Sequence, residues 1–370
     1  MTRVFLIRHA EAEGNTYRRA HGHFDGNIIS GRGFLQIEQL KERFIREDVS
    51  AVYSSDLSRA KTTAMAVSRP KGLDITTSKM LREVDMGVWE DEPWGDLYYK
   101  YPEMMRYFSL DPEKWKVDGG EEYGSVQSRM YSYIQDIADK HNGETIAVFS
   151  HGFAIRAFMC KVTGVRSHDI LNIPYFDNTA VTFMVYDGGE FRVEYMGDNT
   201  HLKKETSTFA NQIWWKSEES SVMENMRYMP LNESRDIKLI ESFHNEGNAR
   251  GNANKEFTAF IDEKQVGMIG ISDRTEAVSG KEDLRLSNDL KAGWIIYMYM
   301  TPEYRGKYYG IQLIGQAVSE MRRQGKKKLM AGIPSGDGLL RFCQKHGFSV
   351  KEKCEGRYLI EKDITMPDEF

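Results

Sequence analysis

Arg8 and His9 stand side by side directly after a short apolar run, Val4–Ile7, in the stretch "FLIRHAEAEGN". Arg59 opens the helical pattern that follows a second apolar run, "VSAVYSS", and His151 ends a third, "ETIAVFSHG". In an open α/β sheet, ligands bind outside the carboxyl ends of the strands, so four groups far apart in sequence converge on one edge. Two arginines and two histidines gathered there repel one another unless an anion joins them. Phosphate is the natural guest, because guanidinium forks match its oxygens two at a time.

The elements that must carry these groups alternate between strand and helix up to about residue 200. Ser30 is placed to cap a helix whose apolar stripe reads Phe34, Leu35, Ile37, Leu40, Phe44 and Ile45. Further helices are expected from Leu57 through Val67 and from Met130 to Ala138. "AVTFMVYDGGEFRVEYM" reads as a hairpin turning at Asp187-Gly188-Gly189. Short buried strands alternating with helices imply a three-layer α/β/α architecture around a mainly parallel sheet. Residues 203 to about 222 lose this periodicity and read as a linker, interrupted by Ile213, Trp214 and Trp215, a cluster expected to dock on a neighbouring domain.

After residue 223 the order changes. A strand at "MRYMPL", a helix in "ESRDIKLIESFHNEG" and a hairpin turning at Asp262 to Gln265 come first. A polar loop from Asp273 to Lys291, the strand "GWIIYMYM", a helix over Ile311–Arg323, the strand "KKLMAGI" and the helix "LLRFCQKHGF" follow. This is a mixed α/β pattern. The expected organisation is a first domain over 1–203, a linker over 204–222 and a second domain over 223–370.

The totals suit a chain of two or three domains: 370 residues, 40% hydrophobic and 28% charged. A net charge of -5 gives no reason to expect nucleic acid as a partner. No uninterrupted apolar run approaches the length of a membrane span, and no secretory leader is visible. Cys160, Cys343 and Cys354 are odd in number and unhelpfully spaced for a disulfide frame or a zinc site, so reduced thiols in the cytoplasm are expected.

Residues 2 to 202 resemble the histidine phosphatase, or phosphoglycerate mutase-like, superfamily. "RHAEAEGN" is similar to its Arg-His-Gly-Glu-Thr-x-x-Asn box. "RRAHGHFD", with Arg19, Gly22 and Asp25, resembles the next loop, and "YSSDLSRAKTTA" the second box. "LREVDMGVWE" carries Glu83 at the family's acid, "VFSHG" the second histidine, and "NTAVTFMVYDGGEF" and "NTHL" the closing elements. Ala10, Ala12 and His21 depart from the usual glycine, threonine and glutamine. The resemblance implies that His9 is the nucleophile and becomes a phosphohistidine. Arg8, Arg59 and His151 then neutralise the phosphoryl oxygens, and Glu83 serves as acid and then base, with no metal required. Asn15, Arg19 and His21 are the implied substrate-binding positions. An attacking imidazole must be unprotonated at the attacking nitrogen, so its other nitrogen should meet a backbone carbonyl. The segment from Glu83 to Gly120, rich in tryptophan and tyrosine, should cover the site. It is compact, which favours phosphatase over mutase.

The second half, about residues 224 to 365, resembles the GNAT acyl-CoA-dependent N-acetyltransferases. "YMTPEYRGKYYGIQLIGQAV" sets an amide-rich loop before a helix, an arrangement suited to pyrophosphate. Arg305 and Gly310 match the family signature, Gly306 fits a variant of it, and Tyr308 occupies a signature glycine. The resemblance implies acetyl-CoA held by Arg305, Gly306, Lys307, Tyr308, Tyr309 and Gly310. "FCQKHGF" is similar to the family's closing helix, with Cys343 in place of a tyrosine that protonates departing CoA sulfur. The expected protein is a two-domain enzyme. Its first site removes phosphate from a small metabolite, and its second acetylates a small amine. The alternatives are a CoA-sensing or structural second module, and a phosphohistidine-dependent mutase.

Overall fold

The computed structural model describes residues 1–26, 28–217, 222–274, 290–354 and 356–366. Most of the polar loop expected between Asp273 and Lys291, and the thiol of Cys354, lie outside the described residues. The chain divides into two compact units. One takes residues 1–13, 20–92 and 100–215, the other residues 14–19, 93–99 and 216–370.

The first unit is built on six strands: β1 (Thr2–Arg8), β2 (Ala51–Ser55), β3 (Ile75–Ser78), β4 (Thr145–Ser150), β5 (Val181–Asp187) and β6 (Glu190–Asp198). Their order is β3-β2-β4-β1-β5-β6. The four strands from β3 to β1 run parallel, and the β5–β6 hairpin closes the sheet antiparallel. β1 is apolar from Val4 to Ile7 and β4 from Ile146 to Phe149, and these residues are buried because both faces are covered, as parallel strands require. The covering helices include α1 (Gly31–Phe44), α2 (Ser58–Lys71), α3 (Pro102–Leu110), α4 (Tyr123–Lys140) and α5 (Gly152–Thr163).

Ser30 caps α1 as its side chain accepts from Gly33 N. The buried face of α1 differs from the expected stripe. Ile37, Leu40 and Phe44 enter the core, whereas Phe34, Leu35 and Ile45 are more than half exposed, at 55%, 57% and 61%. Gln36 is buried in their stead because its amide bridges Glu11 N and Thr206 O. β3 went unanticipated; its sequence, Ile-Thr-Thr-Ser, offers no apolar run, and it is held as an edge strand by pairing with β2.

The tail after β6 is no loose linker. Thr206, Ser207 and Thr208 are buried, and a short helix α6 (Thr208–Asn211) is capped by Ser207, which accepts from Ala210 N, while its first amides donate to the buried carboxylate of Asp177. Trp215 stacks on Phe209 with ring centroids 4.9 Å apart, and Trp214 meets Tyr175 edge-on at 5.5 Å. The tryptophan cluster therefore docks on the first unit.

The second unit carries a seven-stranded sheet: β7 (Arg227–Pro230), β8 (Lys255–Ile261), β9 (Lys264–Ser272), β10 (Ala292–Met300), β11 (Lys328–Pro334), β12 (Ser349–Cys354) and β13 (Arg357–Asp363). The order is β12-β13-β11-β10-β9-β8-β7, and β10 with β11 is its parallel pair. α8 (Gly310–Arg323) buries Leu313, Ile314, Ala317, Val318 and Met321 against one face. α7 (Ile237–Asn245) buries Leu239, Ile240 and Phe243 beside Tyr297 and Tyr299. α9 (Asp337–Lys345) precedes the β12–β13 hairpin. No helix among the described residues is long and apolar enough to cross a membrane.

Candidate active site

The register of the central strands places the first cluster. β1 and β4 run parallel with Arg8 opposite Ser150, so the residues just beyond, His9 and His151, leave the sheet together. His9 N donates to Ser150 O at 3.0 Å, and the two imidazole centroids lie 5.1 Å apart. His151 is the residue before α5, and Arg59 lies in the first turn of α2. All four groups sit at or just beyond the carboxyl ends of their strands, and all are buried.

Hydrogen bonds decide which nitrogen of each histidine carries the proton. His9 Nδ1 lies 2.7 Å from Ala10 O, and a carbonyl only accepts. His9 therefore bears its proton on Nδ1 and keeps a lone pair on Nε2. Arg59 Nε donates to His151 Nδ1 at 3.2 Å, so His151 carries its proton on Nε2. Burial, reinforced by Arg59, Arg8 and His21, holds His9 well below the ordinary histidine value. Burial, with Arg59 and His9, does the same for His151. The pair is thus neutral, with a lone pair on one ring and an N–H on the other.

Two buried donors of this cluster, Arg8 Nε and His151 Nε2, have no partner in the protein. Buried N–H groups are rarely left so, and both fit the oxygens of a phosphoryl group. Arg8 is held by its Nη1 on Phe176 O at 2.6 Å, and its guanidinium passes over Gly152. A Cβ at Gly152 would come within 3.3 Å of Arg8 Nε, which explains a glycine there.

Arg59 is secured by carbonyls. Nη2 donates to Gly22 O at 2.7 Å and His21 O at 3.3 Å, and Nη1 to Phe24 O at 3.3 Å. That loop is itself gathered by Glu90, whose carboxylate accepts from the amides of Gly22, His23, Phe24 and Met86. Gly22 lies so close to Val84 O that a Cβ would meet it at 2.0 Å. Asp25 accepts from Ser58 N and Oγ and thereby fixes the start of α2. Glu90 was not singled out from sequence. The only trace of it there is an acidic residue beside a tryptophan in "GVWE", which carries no spacing signal.

Glu83 projects to the start of α5, where its oxygens accept from Phe153 N at 3.0 Å and Ala154 N at 2.8 Å. A carboxylate suits the positive end of a helix dipole. Its own carbonyl is held by Arg129 and by His23. The aromatic segment reaches the same place. Trp89 and Trp115 pack at 5.7 Å, Phe108 and Trp115 at 5.2 Å, and Phe108 stacks on Phe153 at 5.0 Å.

Among the implied substrate-binding residues, His21 stands with its ring centroid 6.2 Å from that of His9. Asn15 and Arg19 belong to residues 14–19, which group with the second unit. There Arg19 is buried and donates to Gln316 Oε1 at 2.9 Å and Ser319 Oγ at 3.0 Å.

In the second unit, β10 and β11 pair only from Ala292↔Lys328 to Ile295↔Ala331. β10 then continues to Met300, a short turn over Pro302–Tyr304 follows, and the chain enters α8 at Gly310. Gly306 and Tyr308 both take positive φ, 72° and 65°, and so bend the loop before the helix. In the first turn of α8 the Gln312 amide donates to Tyr309 O at 2.9 Å. Arg305 is engaged by Met300 O at 2.9 Å and by both oxygens of Glu246 at 2.8 and 2.6 Å. Lys307 lies over the Tyr304 ring, and Tyr309 donates to Met223 O. Cys343 packs in the core among aliphatic side chains, where burial pushes its thiol up to about 11.

Comparison with known proteins gives two matches along the chain. Residues 4–199 match the histidine phosphatase superfamily (branch 1), and residues 212–348 match the acetyltransferase (GNAT) family. Phosphoserine phosphatase 1 of Hydrogenobacter thermophilus is 33% identical over 165 residues, covering 45% of this chain and 78% of that protein. Phosphoglycerate mutase-like protein 4 of Arabidopsis thaliana is 30% identical over 206 residues, covering 54% of this chain and 87% of that one. The solved structure titled Bacillus stearothermophilus YhfR aligns with a TM-score of 0.53 at 29% identity, covering 55% of this chain and 100% of that chain.

Proposed function

The chain belongs to the histidine phosphatase superfamily (branch 1), and from that premise we propose that its first unit hydrolyses a small phosphomonoester through a phosphohistidine at His9. The observation that carries this reading is the pair of buried neutral imidazoles with centroids 5.1 Å apart, one with a lone pair on His9 Nε2 and the other with an unpartnered N–H on His151 Nε2. His9 Nε2 attacks phosphorus and the bond to the ester oxygen breaks. Arg8, Arg59 and His151 take up the charge of the phosphoryl oxygens as it shifts. Glu83 delivers a proton to the departing alcohol. It then removes one from water, which attacks the phosphohistidine and releases phosphate, restoring the His9 lone pair. Release of inorganic phosphate from a panel of phosphate esters tests this, with phosphoserine and phosphoglycerate included because the named relatives suggest them. His9→Ala should abolish turnover and acid-labile labelling. Transfer of the label to a second metabolite in place of water would mark a mutase.

For the second unit, which carries a GNAT-family domain, the reading is acetyl transfer from acetyl-CoA to a small amine. The pyrophosphate would meet the amides from Gly306 to Gly310, with Arg305 turned toward it from Glu246. A phosphorylated amine would serve both sites. Calorimetric titration with CoA should show binding that Gly310→Glu removes. No heat from the unmodified protein would leave the domain a structural module.

A further inference from the structure

Thr179 holds a left-handed backbone, φ 61°, although it is β-branched and fully buried. A side chain of this kind takes that conformation only where the surroundings impose it, and such strain gathers at functional sites. Two contacts impose it here. Thr179 Oγ1 donates to Asn178 O at 2.7 Å and meets His201 Nε2 at 3.1 Å. On the far side of that ring, Arg43 Nη1 donates to His201 Nδ1 at 3.2 Å. An arginine has no lone pair to offer, so Nδ1 accepts and His201 carries its proton on Nε2. The bonds then run in one direction, from Arg43 to His201, to Thr179 and to the carbonyl of Asn178.

What this chain braces is the peptide after His9. Asn178 Nδ2 donates to His9 O at 2.9 Å, and Thr179 N points to the same oxygen at 3.4 Å. From the other side, Ala10 N donates to Thr63 Oγ1 at 2.9 Å. The His9–Ala10 peptide plane is thus gripped at both its oxygen and its N–H. Its tilt sets where the next carbonyl, Ala10 O, points, and that carbonyl holds the proton of His9 Nδ1.

We propose that Thr179 and His201 are positioning residues that hold the His9–Ala10 peptide and, through it, the His9 ring in its attacking tautomer. Neither touches the reacting atoms. The proposal rests on the reading of His9 as nucleophile, and its consequence is specific: without the brace the ring tips and shares its proton between both nitrogens. Misplacement of a reacting group by about 1 Å can cost ~10²-fold in rate. The loss should fall on phosphoenzyme formation and leave KM nearly unchanged.

Four variants of the full chain separate this from a role in folding alone. Thr179→Gly adopts φ 61° without strain but lacks the hydroxyl, whereas Thr179→Ser keeps the hydroxyl. His201→Phe fills the space without hydrogen bonds, whereas His201→Gln can accept from Arg43 and donate to Thr179. We expect Thr179→Gly and His201→Phe to slow single-turnover labelling of His9 by roughly 10–100-fold. Thr179→Ser and His201→Gln should retain most of the rate. Long-range 1H–15N spectra of the His9 ring read the tautomer without any substrate, and should change from Nδ1–H alone to a mixture in the first two variants. Wild-type labelling rate and an unchanged tautomer in Thr179→Gly and His201→Phe would overturn the brace. Failure of the unmodified protein to label at all would instead overturn the nucleophile reading, and the spectra would still decide whether the brace exists.

Discussion

Arg59 Nε donates to His151 Nδ1 across 3.2 Å while both Nη groups of the same guanidinium hold the carbonyls of residues 21, 22 and 24. One side chain therefore sets the tautomer of the second histidine, ties down the neighbouring loop and contributes charge to the anion site. A lysine keeps the charge but cannot span three directions. Arg59→Lys should lower kcat by roughly 10²–10³-fold, the scale found for losing a preorganised donor. Steady-state phosphate release, with folding checked by circular dichroism, measures it. A loss below threefold would show that charge alone suffices there.

The Glu83 carboxylate reaches the first turn of α5, its two oxygens on the amides of Phe153 and Ala154. On its proposed role as proton donor, it should matter most for poor leaving groups. Glu83→Gln should slow alkyl phosphates by roughly 10²–10⁴-fold and nitrophenyl phosphate far less, since a phenolate needs little protonation. Equal losses for the two substrates would remove the acid role from this residue.

Two buried histidines and one half-buried one give the fold an acid sensitivity of known sign. His9 and His151 are held well below the ordinary value, and burial with Arg43 lowers His201 to about 4. Above about pH 7 these groups are neutral whether the chain is folded or not, and they contribute no slope. As pH falls below about 6.5 the unfolded chain binds protons that the folded chain refuses, so stability falls. The slope is up to about 1.4 kcal/mol per pH unit for each histidine. Urea midpoints should be level from these groups between pH 7 and 8.5 and drop clearly by pH 5. A midpoint that rises on acidification would contradict the assignment of neutral rings.

Asp177 joins the tail to the site. Its carboxylate accepts from Ser207 Oγ at 2.6 Å, Asn199 Nδ2 at 3.1 Å and the amides of Asn178, Thr208 and Phe209. Removing it strands several buried donors, which costs about 1–3 kcal/mol for each left unsatisfied. Asp177→Ala should lower stability by roughly 2–4 kcal/mol. It should also speed tryptic cleavage at the exposed Lys203 and Lys204. Unchanged cleavage would mean that residues 206–212 are held by other contacts.

The sequence by itself determined which charged and titratable groups gather in the first unit and their place at the sheet edge. Arg8, His9, Arg59 and His151 each follow a short apolar run, and a parallel sheet has no other edge at which such residues can meet. It also determined the loop-to-helix pattern at Arg305–Gly310 and the turn at Asp187–Gly189, because these are local and rest on glycine and capping residues. Only the tertiary structure decided the proton positions on His151 and His201, since each depends on an arginine brought in from a distant segment, whereas His9 takes its partner from the neighbouring residue, Ala10. Glu90 and the Thr179–His201 brace were invisible for the same reason. A carboxylate that gathers amides, or a threonine held at positive φ, has no periodicity and takes its meaning from backbone atoms that any residue could supply. The exposure of Phe34 and Leu35 was equally out of reach, since helical spacing names a face but its width depends on what packs against it. The grouping of residues 14–19 with the second unit, and the docking of Trp214 and Trp215 on the first, were decided by packing alone. Apolar surface is buried wherever a complementary surface lies, and sequence distance does not enter that choice.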